Sequence, residues 1–361
     1  MGKSWQIGRI QGIPILVHWS LGIFFLLLTY IAHHQQLSLS QIGWLLAFII
    51  SLFFCIVLHE LGHALTAKRY EVLTKDIILS PIGGLARLEK IPDKPWEEFW
   101  IALNGPLVNI GIALVLSGYF FLSDTLILPD LSNNLLVTNT TSFLQFLFWM
   151  NLMVFLFNLI PAFPMDGGRI LRALLRTKFS RLTSTKIAVY IGRVFAVAFI
   201  ALAVWQYQFV LGIIGLFILL MAGQELNHVR FTTVLSNSVL GDVGSSSIAK
   251  VKHNSTFQEV IELTKNQKLH NFLVLDSEDK IVGTLPHWFI KSAIKEPEKY
   301  NQVSDLMSNN YRLMDESTPL DDVFNIIQND GLAIIGITRN NEMVGSIDRD
   351  QLSHYISSNT I

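Results

Sequence analysis

The chain is poor in charge and nearly devoid of cysteine. Only 15% of its 361 residues are charged, against about 25% in an ordinary soluble protein. Its single cysteine, Cys55, excludes an intrachain disulfide and any metal site made of several thiolates. There is no basic excess either. Lys and Arg number 27 against 28 Asp and Glu, for a net charge of −1. A nucleic-acid partner, which calls for a clustered basic face, is therefore not expected. What remains is apolar: 51% of residues, with a mean hydropathy of +0.43. The charge deficit is uneven. Residues 13–227 are mostly long apolar runs, and residues 228–361 read as a water-soluble α/β sequence.

A helix that crosses a bilayer needs about 20 mostly apolar residues. Six segments meet or approach that length: 13–32, 43–67, 99–122, 142–162, 187–206 and 209–227. The first is longer than a signal-peptide core and has no small-residue cleavage site behind it, so it is taken as a span. The connections alternate in charge. The N-terminus has Lys3 and Arg9. Loop 68–98 has Lys68, Arg69, Lys75, Arg87, Lys90 and Lys94, and loop 163–186 has Arg169, Arg172, Arg176, Lys178, Arg181 and Lys186. Loops 33–42 and 123–141 and the hinge near 207 carry neither Lys nor Arg. The positive-inside rule then gives six spans with both termini in the cytosol. Segment 71–94, with Pro81, Gly83, Gly84 and Pro92, predicts short strands with a Gly-Gly turn at the cytosolic face. Segment 167–186 is amphipathic and basic, and predicts a helix near the membrane surface.

One apolar span carries three ionisable residues in its last third, in His59-Glu60-Leu61-Gly62-His63. Such groups are costly in lipid and mark function. On a helix, His59 and His63 share a face. Two neutral imidazoles there suit Zn²⁺, and Glu60 between them can take a proton from the water that the ion activates. A catalytic zinc needs a third protein ligand and an open position. Asp166 is the candidate. The 43–67 and 142–162 helices run in the same direction, so the histidines and Asp166 fall at one depth. Pro161, Pro164 and Gly167-Gly168 break the helix and let the backbone turn toward the ion.

His59-Glu60-x-x-His63 together with Asn158-x-x-Pro161-x-x-Pro164-x-Asp166-Gly167-Gly168 resembles the signature pair of the site-2 proteases, the M50 intramembrane metalloproteases. Gly105-Pro106-Leu107-Val108-Asn109 resembles that family's Gly-x-x-x-Asn/Ser/Gly element. The resemblance covers roughly residues 13–227. It implies a zinc metalloendopeptidase with one Zn²⁺ per chain on His59, His63 and Asp166, and Glu60 as general base and later proton donor. It places Asn158 near the scissile carbonyl, where its amide can bond the developing oxyanion. Gly105 and Asn109 are expected to serve packing. The Gly83-Gly84 segment is a candidate for pairing with an unwound substrate by strand addition. The implied substrates are single-span membrane proteins, such as anti-sigma factors, cut in or near their spans in regulated intramembrane proteolysis. The implied location is the bacterial inner membrane.

The tail contains a weak repeat. His270–Asp276 precedes Lys280-Ile281-Val282-Gly283, and Ala333–Ile337 precedes Glu342-Met343-Val344-Gly345. Each reads as strand, turn, strand, helix, and the pair resembles tandem CBS domains. The fold class expected is therefore a polytopic α-helical membrane protein of about six spans (1–230) with a cytosolic α/β CBS pair (231–361, split near 240–297 and 298–361). CBS pairs of the resembling kind bind adenine nucleotides through Gly-h-h-Thr/Ser-x-x-Asp and often dimerise. Here the repeats read Gly283-Thr284-Leu285-Pro286-His287-Trp288-Phe289 and Gly345-Ser346-Ile347-Asp348-Arg349-Asp350-Gln351, without the last Asp and without Thr or Ser fourth. No residue is assigned to a nucleotide. Nucleotide sensing and a ligand-free regulatory or dimerising role both stay open. The competing readings for the whole chain are a transporter or channel gated by CBS domains, and an inactive protease homologue. A transporter has no need of a base between two helical histidines, and all four key residues are present.

Overall fold

The computed structural model describes residues 4–89, 92, 94–125, 137, 139–243, 250–267, 271–294, 300–332, 334–340 and 342–359. Lys3 and Lys90 of the charge pattern, and His270 and Ala333 of the repeat, lie outside them. The chain divides into two compact units, Met1–Leu226 and Asn227–Ile361.

The first unit opens with strands, not with a spanning helix. Strands β1 (Ser4–Ile10) and β2 (Ile13–His18) form a hairpin whose two turn residues, Gln11 and Gly12, both have positive φ. That turn matches the twist of paired strands. Ile13 and Ile15 alternate inward onto a core with Ile77 and Leu79. Helix α1 then runs only from Ser20 to His34, 15 residues, or about 22 Å against a hydrocarbon core of about 30 Å. The expected first span, 13–32, is corrected accordingly: its front third is sheet. A short apolar run fits a buried strand as well as a helix.

Among the described residues, five helices are long and apolar enough to cross a membrane: α2 (Leu39–Arg69), α3 (Pro95–Leu122), α4 (Thr140–Asn158) and, after the short α5 (Asp166–Leu175), α6 (Arg181–Trp205) and α7 (Phe209–Asn237). Their ends carry the expected chemistry. Ser38 caps α2 with a reciprocal bond to Gln41, and Lys68 and Arg69 close it. Pro95 starts α3, with Glu97 and Glu98 in the first turn. Asn139 and Ser180 cap α4 and α6. Large apolar side chains such as Val115, Phe121, Val204 and Trp205 point outward, as a lipid-facing surface requires.

Between α2 and α3 the chain adds β3 (Thr74–Ser80) and β4 (Gly83–Leu88). The four strands lie in the order β1-β2-β3-β4, with β2 and β3 parallel through Ile15↔Ile77 and Val17↔Leu79. Strand β4 is an edge of this sheet. The turn before it is Pro81-Ile82, and Gly83-Gly84 open the strand itself, so the Gly-Gly turn is corrected to a Pro-Ile turn.

The second unit contains two sheets of the same plan. In one, β5 (Lys250–Lys252) runs parallel to β6 (Phe272–Leu275), which pairs antiparallel with β7 (Ile281–Leu285). In the other, β8 (Arg312–Asp315) runs parallel to β9 (Ile334–Arg339), which pairs antiparallel with β10 (Glu342–Asp348). Between them and around them come α8 (Leu240–Val243), α9 (Phe257–Gln267), α10 (His287–Ala293), α11 (Leu320–Asp330) and α12 (Arg349–Asn359). Each sheet has its own aliphatic core, around Val260, Phe272 and Leu285 in one and Leu320, Ile335 and Ile347 in the other.

Candidate metal centre

Helix α2 brings His59 and His63 to one face, one turn apart, and both are buried. Asp166, the first residue of α5, joins them. Its Oδ2 lies 3.2 Å from His59 Nε2 and 3.2 Å from His63 Nε2, and the two imidazole nitrogens are 3.1 Å apart. Among the described residues this is the one group of three or more His, Cys, Asp or Glu side chains able to hold a metal. The three atoms form a nearly equilateral triangle. Ligands at 2.0–2.1 Å around a tetrahedral zinc stand about 3.3–3.4 Å apart. The triangle therefore has the dimensions of one face of that tetrahedron, and the donor set of two imidazoles and a carboxylate suits the ion.

The loop before Asp166 folds tightly. Helix α4 stops at Asn158, and residues 159–165 turn the chain back before α5 begins. A Cβ on Gly167 would lie 2.3 Å from the Ile160 carbonyl oxygen, and one on Gly168 would lie 2.7 Å from the Ala162 carbonyl carbon. Only glycine permits that approach, so the Gly-Gly pair is what allows Asp166 to reach α2.

Helix α3 orients both histidines. His63 Nδ1 lies 2.7 Å from the Ile101 carbonyl oxygen, and His59 Nδ1 lies 2.5 Å from Asn109 Oδ1. Each ring thereby turns its Nε2 toward Asp166. Asn109 in turn donates through Nδ2 to Asn151 Oδ1 on α4 at 2.9 Å. Gly105 faces the same rings, and a Cβ there would sit 2.2 Å from His63 Nε2 and 2.8 Å from His59 Nε2. The sequence reading gave Gly105 and Asn109 to packing. In the structure one leaves room for the two Nε2 atoms and the other holds the His59 ring. Asn151 was missed altogether, although an amide inside an apolar run such as Leu147–Phe157 is itself a signal.

Glu60 points to the opposite neighbour, strand β4. Its Oε2 accepts a hydrogen bond from the Ala86 backbone N–H at 2.8 Å. Gly84 is pressed against it, since a Cβ there would lie 2.9 Å from Glu60 Cγ. The Gly83-Gly84 segment therefore passes beside the carboxylate. Asn158, half-buried at the end of α4, has no side-chain hydrogen bond among the described residues.

A second polar cluster anchors α5. Arg172 Nε donates to Glu98 Oε1 at 2.6 Å and Arg172 Nη1 to Glu225 Oε1 at 2.5 Å; Arg176 Nη1 donates to Glu98 Oε2 at 2.6 Å. Arg172 is 2% exposed. The helix expected to lie near the membrane surface is thus partly internal, and Arg172 serves a buried ion-pair network.

Two helical imidazoles and a remote carboxylate, with a glutamate between the imidazoles in sequence and apolar helices around them, define a membrane-embedded metallohydrolase. A profile of Peptidase family M50 matches residues 47–202, and one of the CBS domain matches residues 303–358. Zinc metalloprotease MJ0392 of Methanocaldococcus jannaschii is 36% identical over 287 residues, which covers 79% of this chain and 78% of that protein. Stage IV sporulation protein FB of Bacillus subtilis is 31% identical over 124 residues, 34% of this chain and 38% of that one. Among solved structures, the site-2 protease from Methanocaldococcus jannaschii is 37% identical, with 62% of this chain and 95% of that chain covered and a TM-score of 0.45. The chain belongs to peptidase family M50, the site-2 proteases. It is an integral membrane zinc metalloprotease with a C-terminal CBS region.

Proposed function

We propose that His59, His63 and Asp166 hold the zinc, and that Glu60 is the general base of peptide-bond hydrolysis. The observation that carries this reading is the triangle of ligand atoms 3.1–3.2 Å on a side. When bound, the zinc supplies a Lewis acid that makes water nucleophilic near neutral pH. Glu60 takes the proton of the attacking water and returns it to the leaving amine. Asn158, whose amide has no partner among the described residues, donates to the developing oxyanion. The substrate is a single-span membrane protein, of the class to which anti-sigma factors belong. Its helix hides its own peptide bonds, so it is cut where it unwinds. The unwound strand pairs with β4 at Gly83-Gly84, next to the carboxylate of Glu60.

Counting the short apolar α1 as a crossing beside the five longer helices, the charged connections favour cytosolic termini, with the site near the cytosolic face of a bacterial inner membrane. Residues 1–230 act as the protease domain and 231–361 as a regulatory CBS pair through which two chains associate. An adenine nucleotide is the ligand to test there. Asp348, out of register with the nucleotide pattern, already caps α12 by accepting from Gln351 N at 2.8 Å, and it accepts from Asn271 Nδ2 at 3.1 Å.

The test is made on purified protein in detergent with a single-span substrate. Glu60→Gln is expected to keep its zinc and to lose cleavage by roughly 10²–10⁴-fold, the usual scale for a positioned acid–base group. Undiminished cleavage would remove Glu60 from the mechanism.

A further inference from the structure

We infer that Asn109 and Asn151 are positioning residues that fix the tautomer of His59, so that its Nε2 lone pair faces the metal. The inference rests on His59 being a ligand, as proposed above.

The direction of the relay is set at its far end. The Leu147 carbonyl can only accept a hydrogen bond. Asn151 Nδ2 lies 2.9 Å from that oxygen and 3.5 Å from Cys55 Sγ, so its amide nitrogen is turned to that side. The Asn151 oxygen then has to face Asn109. Asn109 meets it with Nδ2 at 2.9 Å, which leaves Asn109 Oδ1 toward His59 at 2.5 Å. An amide oxygen only accepts, so the proton on the ring sits at Nδ1. A neutral imidazole protonated there carries its lone pair on Nε2.

The order cannot be reversed at low cost. Flipping Asn151 would set its oxygen against the Leu147 carbonyl, and flipping Asn109 would set its oxygen against that of Asn151. Both amides are 1% exposed, and a buried polar group left unpaired costs about 1–3 kcal/mol. The two histidines thus differ. His63 takes its orientation from a main-chain carbonyl, Ile101, in one step. His59 takes its own from a main-chain carbonyl on α4, passed through two amides and across α3. Ligand histidines depend on such outer partners for tautomer and ring orientation.

The experiment titrates metal-free, full-length protein in detergent with Zn²⁺ against a fluorescent chelator, and records thermal unfolding of each variant. His59→Ala is expected to lose the site. Asn151→Leu lets the Asn109 amide turn its nitrogen toward His59, and zinc affinity is expected to fall about 10–100-fold. Adding Asn109→Asp to Asn151→Leu should restore most of it, because a carboxylate presents oxygen to His59 whichever way it turns. A packing role predicts no such rescue, since the two side chains fill nearly the same volume. Zinc lost in His59→Ala but bound normally by Asn151→Leu overturns the relay alone. So does a failed rescue in a double variant that unfolds at the wild-type temperature. Zinc retained by His59→Ala overturns the ligand assignment and the relay with it. Should Asn151→Leu not fold, ¹⁵N-labelled histidine in the wild type decides: a His59 signal protonated at Nδ1 is expected, and one protonated at Nε2 overturns the inference.

Discussion

Beneath the surface of Met1–Leu226 lie His59, His63, Glu98, Asn109, Asn151, Asp166 and Arg172, while beneath that of Asn227–Ile361 no charged side chain is buried among the described residues. The charges of the second unit stand outside, as in the pair of Glu316 with Arg339. The contrast follows from solvent. A surface against lipid has to be apolar, so the polar groups of the first unit collect inside and must satisfy one another. A surface against water carries charge freely, and the interior is left to Leu320, Ile335 and Ile347. In the first unit buried polarity therefore builds the site. In the second the buried side chains build two apolar cores.

The comparison is sharpest at two glycines. Gly105→Ala puts a methyl 2.2 Å from His63 Nε2. It is expected to abolish stoichiometric zinc, read by metal analysis after dialysis. Gly336→Ala meets Leu313 Cδ2 at 2.5 Å, the far end of a flexible side chain, and should leave zinc content unchanged. Equal zinc loss in both would break the distinction.

Next in size is the buried ion pair. Glu98→Gln leaves Arg172 and Arg176 with weaker acceptors at buried positions, and removing one partner of such a pair costs about 3–5 kcal/mol. The expected result is a lower midpoint for the first unit in denaturant, with zinc lost in the same transition. The exposed pair in the second unit offers the control. Glu316→Gln should move its midpoint far less, on the scale of an exposed ion pair.

The smallest effect is in pH. The bond from Arg339 holds the Glu316 carboxyl below its ordinary range; bonds from Ser317 do the same for Asp315, and those from the Lys280 and Glu278 backbone for Asp276. A carboxyl depressed in the folded state contributes stability above its unfolded pKa and loses it as pH falls through the folded value. Thermal unfolding of the second unit should therefore shift down modestly as pH drops below about 4. Arg339→Leu should flatten the part due to Glu316. A midpoint that rises on acidification would contradict the assignment.

The His59-Glu60-x-x-His63 motif and the helices that hold it are legible in the sequence because both are periodic. His59 and His63 fall on one face by spacing alone, and long apolar runs have few alternatives. Two kinds of feature were hidden. Ile13–His18 is too short for its period to tell strand from helix, and its pairing with β3, some 60 residues on, is invisible locally. Arg172 counts as one more cytosolic charge until Glu98 and Glu225, distant in sequence, are seen around it. Asn151 meets its partner Asn109 only where α4 packs against α3. What sequence conveys poorly is which polar residue of one helix meets which of another.

Helix α5 works as a strut. Its first residue is the carboxylate of the metal triangle, and its second turn is clasped between glutamates from α3 and α7. The six steps from Asp166 to Arg172 rise about 9 Å. The carboxylate is thus aimed from a footing well away from the two imidazoles, and a slip of α7 at Glu225 would be felt as a shift of the Asp166 carboxylate at the other end.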